Sequence, residues 1–488
     1  MRHTILAALA ASLLLLLLGL GEDNNLSPTS LSSVQFSLES GAYKRDIVVR
    51  LHTSQPDATI LYTTNGRLPA PTTAQTYSSP FYLTANPPTI MTIQARTVGV
   101  DGVLGEVKTA VYAVGLQATV PIMAVTMEPD DLWGAATGIF ANPEERGIEW
   151  ERPLTLTYLD ENGRLAFQIP AGGRVHGLTS RLYEKKSLRL YFRQEYGPPR
   201  LDYPLFPDSD VTSFKRLVLH SGGQDYPAQR ANGTLLRNAL MAQLARQVNG
   251  YATHIRPVLL ILNGERWGIY NLRERVDENY LHDHFGIEPD SDDLAHWPNL
   301  NAYIDSHDLS EPEHYAYVQT QIDINNFIDY NILQMLAANT DWPNNNRTRF
   351  RDHGADGRWR WLFWDTDFAF GLAPNSRIET DMMERVFLRE REDIVIGAKL
   401  MRELIKNSAF QAQFVARADY LLAHSLHPEQ LLGTLDGLAA ELAPNIHHET
   451  ERWPGGSTWE ASVEEMRVFV QERPFVFEQN LRAMFAEE

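Results

Sequence analysis

Asp341 and Asn346 stand five residues apart in "NTDWPNNNRTRF", and Asp365 and Asp367 stand two apart in "WDTDFAFG". These residue types suit phosphoryl transfer. That chemistry asks for a carboxylate to orient the attacking hydroxyl, and for an asparagine and another carboxylate to hold Mg2+. It also asks for a lysine to neutralise the phosphates of ATP. Mg2+ takes hard oxygen ligands and leaves positions for phosphate and water. Asp365 and Asp367, two apart on an extended strand, share one face. Two like charges there drive one carboxyl towards its neutral form unless a cation is near.

The cation expected to meet the phosphates is Lys186, in "SRLYEKKSLRLYF". Alternation puts Lys186 on the face of Leu188 and Leu190, inward, and Lys185 outward. An inward lysine needs an anion. "AGGRVHGLTSR" adds Gly172, Gly173 and Gly177, with Arg174, His176 and Arg181, where backbone N–H groups could approach phosphate. Lys186 and Lys185, with Arg174 and Arg181, form the candidate nucleotide-binding set. Each has a plainer reading, as a basic strand surface or a hairpin turn. Asp341 with Asn346 alone would better suit a polar turn. What favours a site is the order in which these segments fall between a strand-rich and a helical half.

The positioning elements follow from periodicity. Residues 34–115 hold short Val-, Ile-, Thr- and Tyr-rich strands broken by Pro, Gly and Asn, the pattern of a small sandwich. Residues 118–276 are strand-rich with one helix, expected over Gly233–Val248. Residues 277–488 are helical, and Asp323 and Asn326 suit the first turn of the helix that leads to Asp341. The fold class is α+β: two lobes preceded by an all-β domain.

Composition sets the outer limits. The chain has 488 residues, a net charge of -19 and no cysteine. Such charge disfavours nucleic acid and anionic lipid as partners, and disulfides and thiolate zinc sites are excluded. Arg2 and His3, the apolar run Ile5–Leu20 and small residues to Gly21 read as a signal peptide over residues 1–21, too short for a membrane span. Export, with no membrane span after cleavage, is the expectation.

Two resemblances join these features. "FSLESGAY", "ATILYTTNGRLPAP" and "TIQARTVGVDG" resemble the chitobiase/hexosaminidase C-terminal sandwich module, which implies a cell-surface glycan as a partner. From about residue 120 onward, "FKRLVLHSGGQD", "NGERWGIYNLRERVD" and "NTDWPNNN…WDTDFAFG" resemble the CotH (spore coat protein H) kinase family. That resemblance implies an exported atypical kinase using Mg2+ and ATP to phosphorylate Ser/Thr of surface or coat proteins. It also implies roles. Asp341 would be the catalytic-loop aspartate, and Asn346 with Asn345 would be metal ligands. Asp365, with Asp367 as second choice, would be the metal carboxylate. Lys186 would contact phosphate, and Glu274 would line the nucleotide pocket. One departure stands out: the strand-lobe helix carries no acid to hold a lysine, and only Asp225 precedes it. A non-catalytic surface scaffold and a carbohydrate-active protein, the latter suggested by the paired carboxylates, are the alternatives.

Overall fold

The computed structural model describes residues 32–248, 251–288, 293–352 and 356–485. The expected signal peptide lies outside them. Among the described residues no helix is long and apolar enough to cross a membrane.

The first unit is all-β. Five strands pair in the order Gly41–Tyr43, Lys108–Val114, Thr89–Val98, Thr59–Thr63, Gln75–Thr76. Ile47–Val49 pairs with Phe81–Leu83 beside them. Val49, Leu83, Ile93, Tyr112 and Val114 fill the core between.

The strand-rich lobe is a closed barrel. Around it run Ile122–Thr126, Arg152–Leu159, Leu165–His176, Ser187–Tyr191, Arg216–His220, Glu265–Glu274 and Ile255–Leu262. The last strand returns to the first in parallel, at Ile122↔Leu259. Closure leaves no open sheet edge. Met123, Val125, Leu188, Leu190, Tyr270 and Leu272 point into the barrel. Ile122, Ala124, Leu259 and Ile269 point outward yet are buried too, against the helical lobe. Burial on both faces explains why "VLLIL" is a continuous apolar run. Gly172 and Gly173 lie within a strand, not in a hairpin turn. A Cβ on Gly172 would collide with the Tyr196 ring and one on Gly173 would meet Leu154 at 2.6 Å, so close packing explains both.

The inserted helix is Arg237–Val248, later than the expected start at Gly233. Leu235 is left-handed, with φ of 67°. Asp225 accepts from the Thr234 and Arg237 backbone N–H groups at 2.8 and 2.9 Å, occupying donors at the helix start.

In the helical lobe, Asp323 caps the helix Ile324–Leu336 by accepting from Asn326 N at 3.1 Å. The 26-residue helix Trp459–Met484 crosses behind it. From there Arg473 donates to the carbonyls of Leu336 and Met335, both at 2.9 Å. Those carbonyls are orphans of the helix end, so Arg473 fixes the point from which the Asp341 loop departs. The helices Asp293–Ser306 and Pro312–Gln321 have no counterpart in the pattern-based reading.

Candidate active site

The Asp341 loop is built by its own asparagines. Asp341 Oδ1 accepts from Asn345 Nδ2 and Oδ2 accepts from Asn346 Nδ2, both at 2.8 Å. Asn346 Nδ2 also donates to the Asp365 carbonyl at 2.9 Å. One amide therefore joins the two segments that sequence spacing leaves 19 residues apart. With both its N–H groups so used, Asn346 Oδ1 is the atom left to meet a cation. Asn346 and Asp365 have φ of 53° and 54°. Asn and Asp tolerate this left-handed region better than other non-glycine residues.

Asp365 corrects one expectation. It does not sit on a strand with Asp367. The strand Trp359–Leu362 pairs with Thr348–Arg351 and ends three residues earlier, and the left-handed Asp365 cannot extend it. The two carboxylates nevertheless line one cleft of about 520 Å³. It is shared with Asp341, Asn345, Asn346 and Arg273. The Asp365 side chain is 39 % exposed, open to the cleft and walled elsewhere. Asp367 is buried, and its Oδ2 accepts from Gln224 N at 2.8 Å. Burial raises the pKa of Asp365, opposed by Arg273 and reinforced by the Asp341 charge. Burial and then the Asp365 charge push Asp367 up to about 8.

The cation facing these carboxylates is Arg273. Its Nη2 lies 3.8 Å from Asp365 Oδ1, and its guanidinium lies 4.3 Å from the Trp364 ring centroid. Its Nε is buried and without a hydrogen-bond partner among the described residues. His176 and His220 lie beside it. Burial and then Arg273 hold both well below the usual histidine range, so both are neutral. Gly177 to Ser180 form another wall. Gly223, with φ of 62°, approaches closely: a Cβ there would lie 2.6 Å from Asp367 Oδ2.

The basic residues read from sequence do not line this cleft. Lys186 Nζ donates to the carbonyls of Tyr183 and Arg181, at 2.7 and 3.0 Å. Lys185 is not outward: it is fully buried. It donates to Glu449 Oε1 and the Ile269 carbonyl, both at 2.7 Å, and lies over the rings of Tyr226 and Tyr270. Strand alternation misassigned it because the outer barrel face meets the helical lobe rather than water. Its acid comes from the short helix Ile446–Thr450, not from the inserted helix. Asp225 does not substitute, because it pairs with Arg237. Arg181 is consumed by the carbonyls of Val175, Pro143 and Glu145. Arg174 is consumed by Gly147 O and the Tyr191 hydroxyl. Glu274 follows Arg273 on its strand and so turns to the other face, where it meets His254 and His284.

Sequence reasoning missed Arg273, His220 and the Gly223–Gln224 turn. Their only signal was the apolar strand around each: "RLVLHSGGQ" and "YNLRE" place polar groups where strands end.

A barrel lobe, a helical lobe and a carboxylate- and asparagine-lined cleft define an atypical kinase-like protein. The chain belongs to the CotH kinase protein family, whose model matches residues 174–476. Residues 38–109 match the chitobiase/beta-hexosaminidase C-terminal domain. No curated protein matches the chain.

Proposed function

We propose that the protein is an exported Ser/Thr protein kinase that moves the γ-phosphate of ATP to surface or coat proteins, with Mg2+ as cofactor. The observation that carries this reading is the convergence of Asp341, Asn346, Asp365 and Asp367 on one cleft beside Arg273. The donor set is all oxygen, as Mg2+ requires. Two carboxylates held together against burial and mutual repulsion also call for a cation. Asn346 Oδ1, Asp365 and Asp367 would hold Mg2+, which when bound neutralises charge on the transferring phosphoryl group.

The chain's own groups divide the remaining work. Arg273 lines the cleft and offers guanidinium donors to phosphate oxygens. The Gly177–Ser180 wall and the neutral His176 and His220 shape the nucleotide end. Asp341, oriented by two asparagine amides, accepts the proton of the attacking hydroxyl. The bond from that oxygen to the γ-phosphorus forms as the bond to the β,γ-bridging oxygen breaks, and ADP leaves. The sandwich would hold the enzyme on a surface glycan, consistent with the apolar leader expected at the amino terminus.

The test is incubation of the purified protein with γ-labelled ATP and Mg2+. Transfer to itself or to surface proteins, lost in Asp341→Asn and Asp365→Asn, is the expected result. No transfer, together with no nucleotide-dependent change in melting temperature, would leave the non-catalytic scaffold as the better reading.

A further inference from the structure

Glu274, His254 and His284 form a second constellation outside the phosphotransfer cleft. Each offers one ligand atom, and these atoms lie within 4.8 Å of one another. They come from three places: the end of the strand Glu265–Glu274, the residue preceding the strand Ile255–Leu262, and the last turn of the helix Glu278–Phe285. Glu274 and His254 are buried, and His284 is partly so.

The hydrogen bonds pose a specific problem. His254 Nε2 lies 3.1 Å from the Asp208 carbonyl, which can only accept. The ring must therefore carry its proton on Nε2. A neutral ring then turns the Nδ1 lone pair towards Glu274 Oε2, 3.0 Å away. That oxygen already accepts from His254 N at 2.9 Å. The other oxygen, Oε1, meets His284 Nε2. Two acceptors facing each other need a positive charge between them. A second proton on the His254 ring is one answer; His284 then donates from Nε2 as a neutral ring, and one imidazolium faces one carboxylate. A divalent ion is the other, and it keeps both rings neutral.

We propose that His254 Nδ1, His284 Nε2 and Glu274 bind a zinc-class divalent cation. Two imidazoles and one carboxylate are borderline ligands that suit Zn2+ or Co2+ and not Mg2+. Bonds of about 2 Å call for ligand atoms about 3.3 Å apart, against 3.0 Å from His254 Nδ1 to Glu274 Oε2 and up to 4.8 Å across the set, so the close pairs open and the wide one closes. The Nε2–H bond to Asp208 O is the partner that fixes the tautomer of a ligating histidine. A fourth position is supplied by water, because a cavity of about 440 Å³ lined by Asp208, Ser213, Asp283, His254 and His284 adjoins the cluster. Asp208 and Asp283 are already paired with Arg246 and Arg200. The ion would tie the helix Glu278–Phe285 to the barrel mouth. Alternation puts it on the opposite face of the strand from Arg273, so it is independent of the phosphotransfer reading.

The test uses the full chain stripped with chelator and titrated with Zn2+ and Co2+. One equivalent of Zn2+ raises the melting temperature, and one equivalent of Co2+ gives the visible absorption of a four-coordinate site. The double variant His254→Ala/His284→Ala weakens binding by more than about 100-fold. His284→Cys keeps the site readable if that variant does not fold. The chain has no cysteine, so a thiolate-to-Co2+ charge-transfer band in His284→Cys reports this site alone. Absence of a metal-dependent shift in the unsubstituted protein overturns the proposal, as does a shift that survives the double variant. A His284→Cys protein that binds Co2+ without the band also overturns it.

Discussion

Replacing Asp367 by asparagine should stabilise the metal-free protein while removing its function. Burial and the neighbouring Asp365 charge push the Asp367 carboxyl up to about 8, from an ordinary value of 3.8. The sign follows from proton counts. Between these two values the native protein holds a proton that the unfolded chain releases, so stability falls as pH rises through that window. At pH 7 the gap from 3.8 corresponds to about 4 kcal/mol, at about 1.4 kcal/mol per pH unit. The amide of Asp367→Asn would carry no such proton linkage, and its oxygen can still accept from Gln224 N, as the Asp367 carboxylate does at 2.8 Å. Even half of the gap would raise the melting temperature of a chain this long by about 2 °C. Thermal melts of both proteins from pH 5 to 9, without metal, read this directly. The unsubstituted protein should lose stability towards pH 8 and recover with Mg2+ and nucleotide. Asp367→Asn should lose less stability over this range and recover less with Mg2+, since Asp365 and Asn346 remain. If Asp367→Asn melts at or below the unsubstituted protein at pH 8 in chelator, Asp367 is not a charge held at a cost, and the argument for a cation there fails.

Other substitutions probe the remaining geometry. Gly223→Ala drives a Cβ to 2.6 Å from Asp367 Oδ2 at a φ of 62°. It should cost more than about 1 kcal/mol of stability and most of the transfer activity, read by melts and labelled ATP. Arg273→Met should weaken nucleotide binding at least about tenfold, while Lys186→Met leaves it unchanged; titration with nucleotide separates the two. Lys185→Met removes one partner of a fully buried pair and should cost about 3–5 kcal/mol. The double change Lys185→Met/Glu449→Gln should return much of that in denaturant melts.

The fold was legible wherever one periodicity dominated. The strands "RLVLHS" and "RPVLLILNG" and the helix ending in "LQMLAANT" lie close to where spacing puts them, because each buries an uninterrupted apolar stripe. The acidic half of the candidate site was legible too, because its two aspartate-bearing segments fall in order between a strand-rich and a helical half. The basic half was not. Which face of a strand looks into a cleft depends on what packs against its other side. Nothing near Lys185 in the sequence announces Glu449, and nothing near Arg273 announces Asp365. Barrel closure was equally hidden, because the parallel pairing of Ile122 with Leu259 is a long-range event without a local signal.

The ion pair between Lys185 and Glu449 spans 264 positions of the chain, and its consequence concerns order of assembly. Until the last fifth of the polypeptide exists, the barrel would have to shut around a bare ammonium group. A fragment stopped at residue 276 should therefore stay loose and sticky, however complete its strands look. The two lobes should then fold together, with nascent chains staying open until the carboxyl-terminal helices arrive.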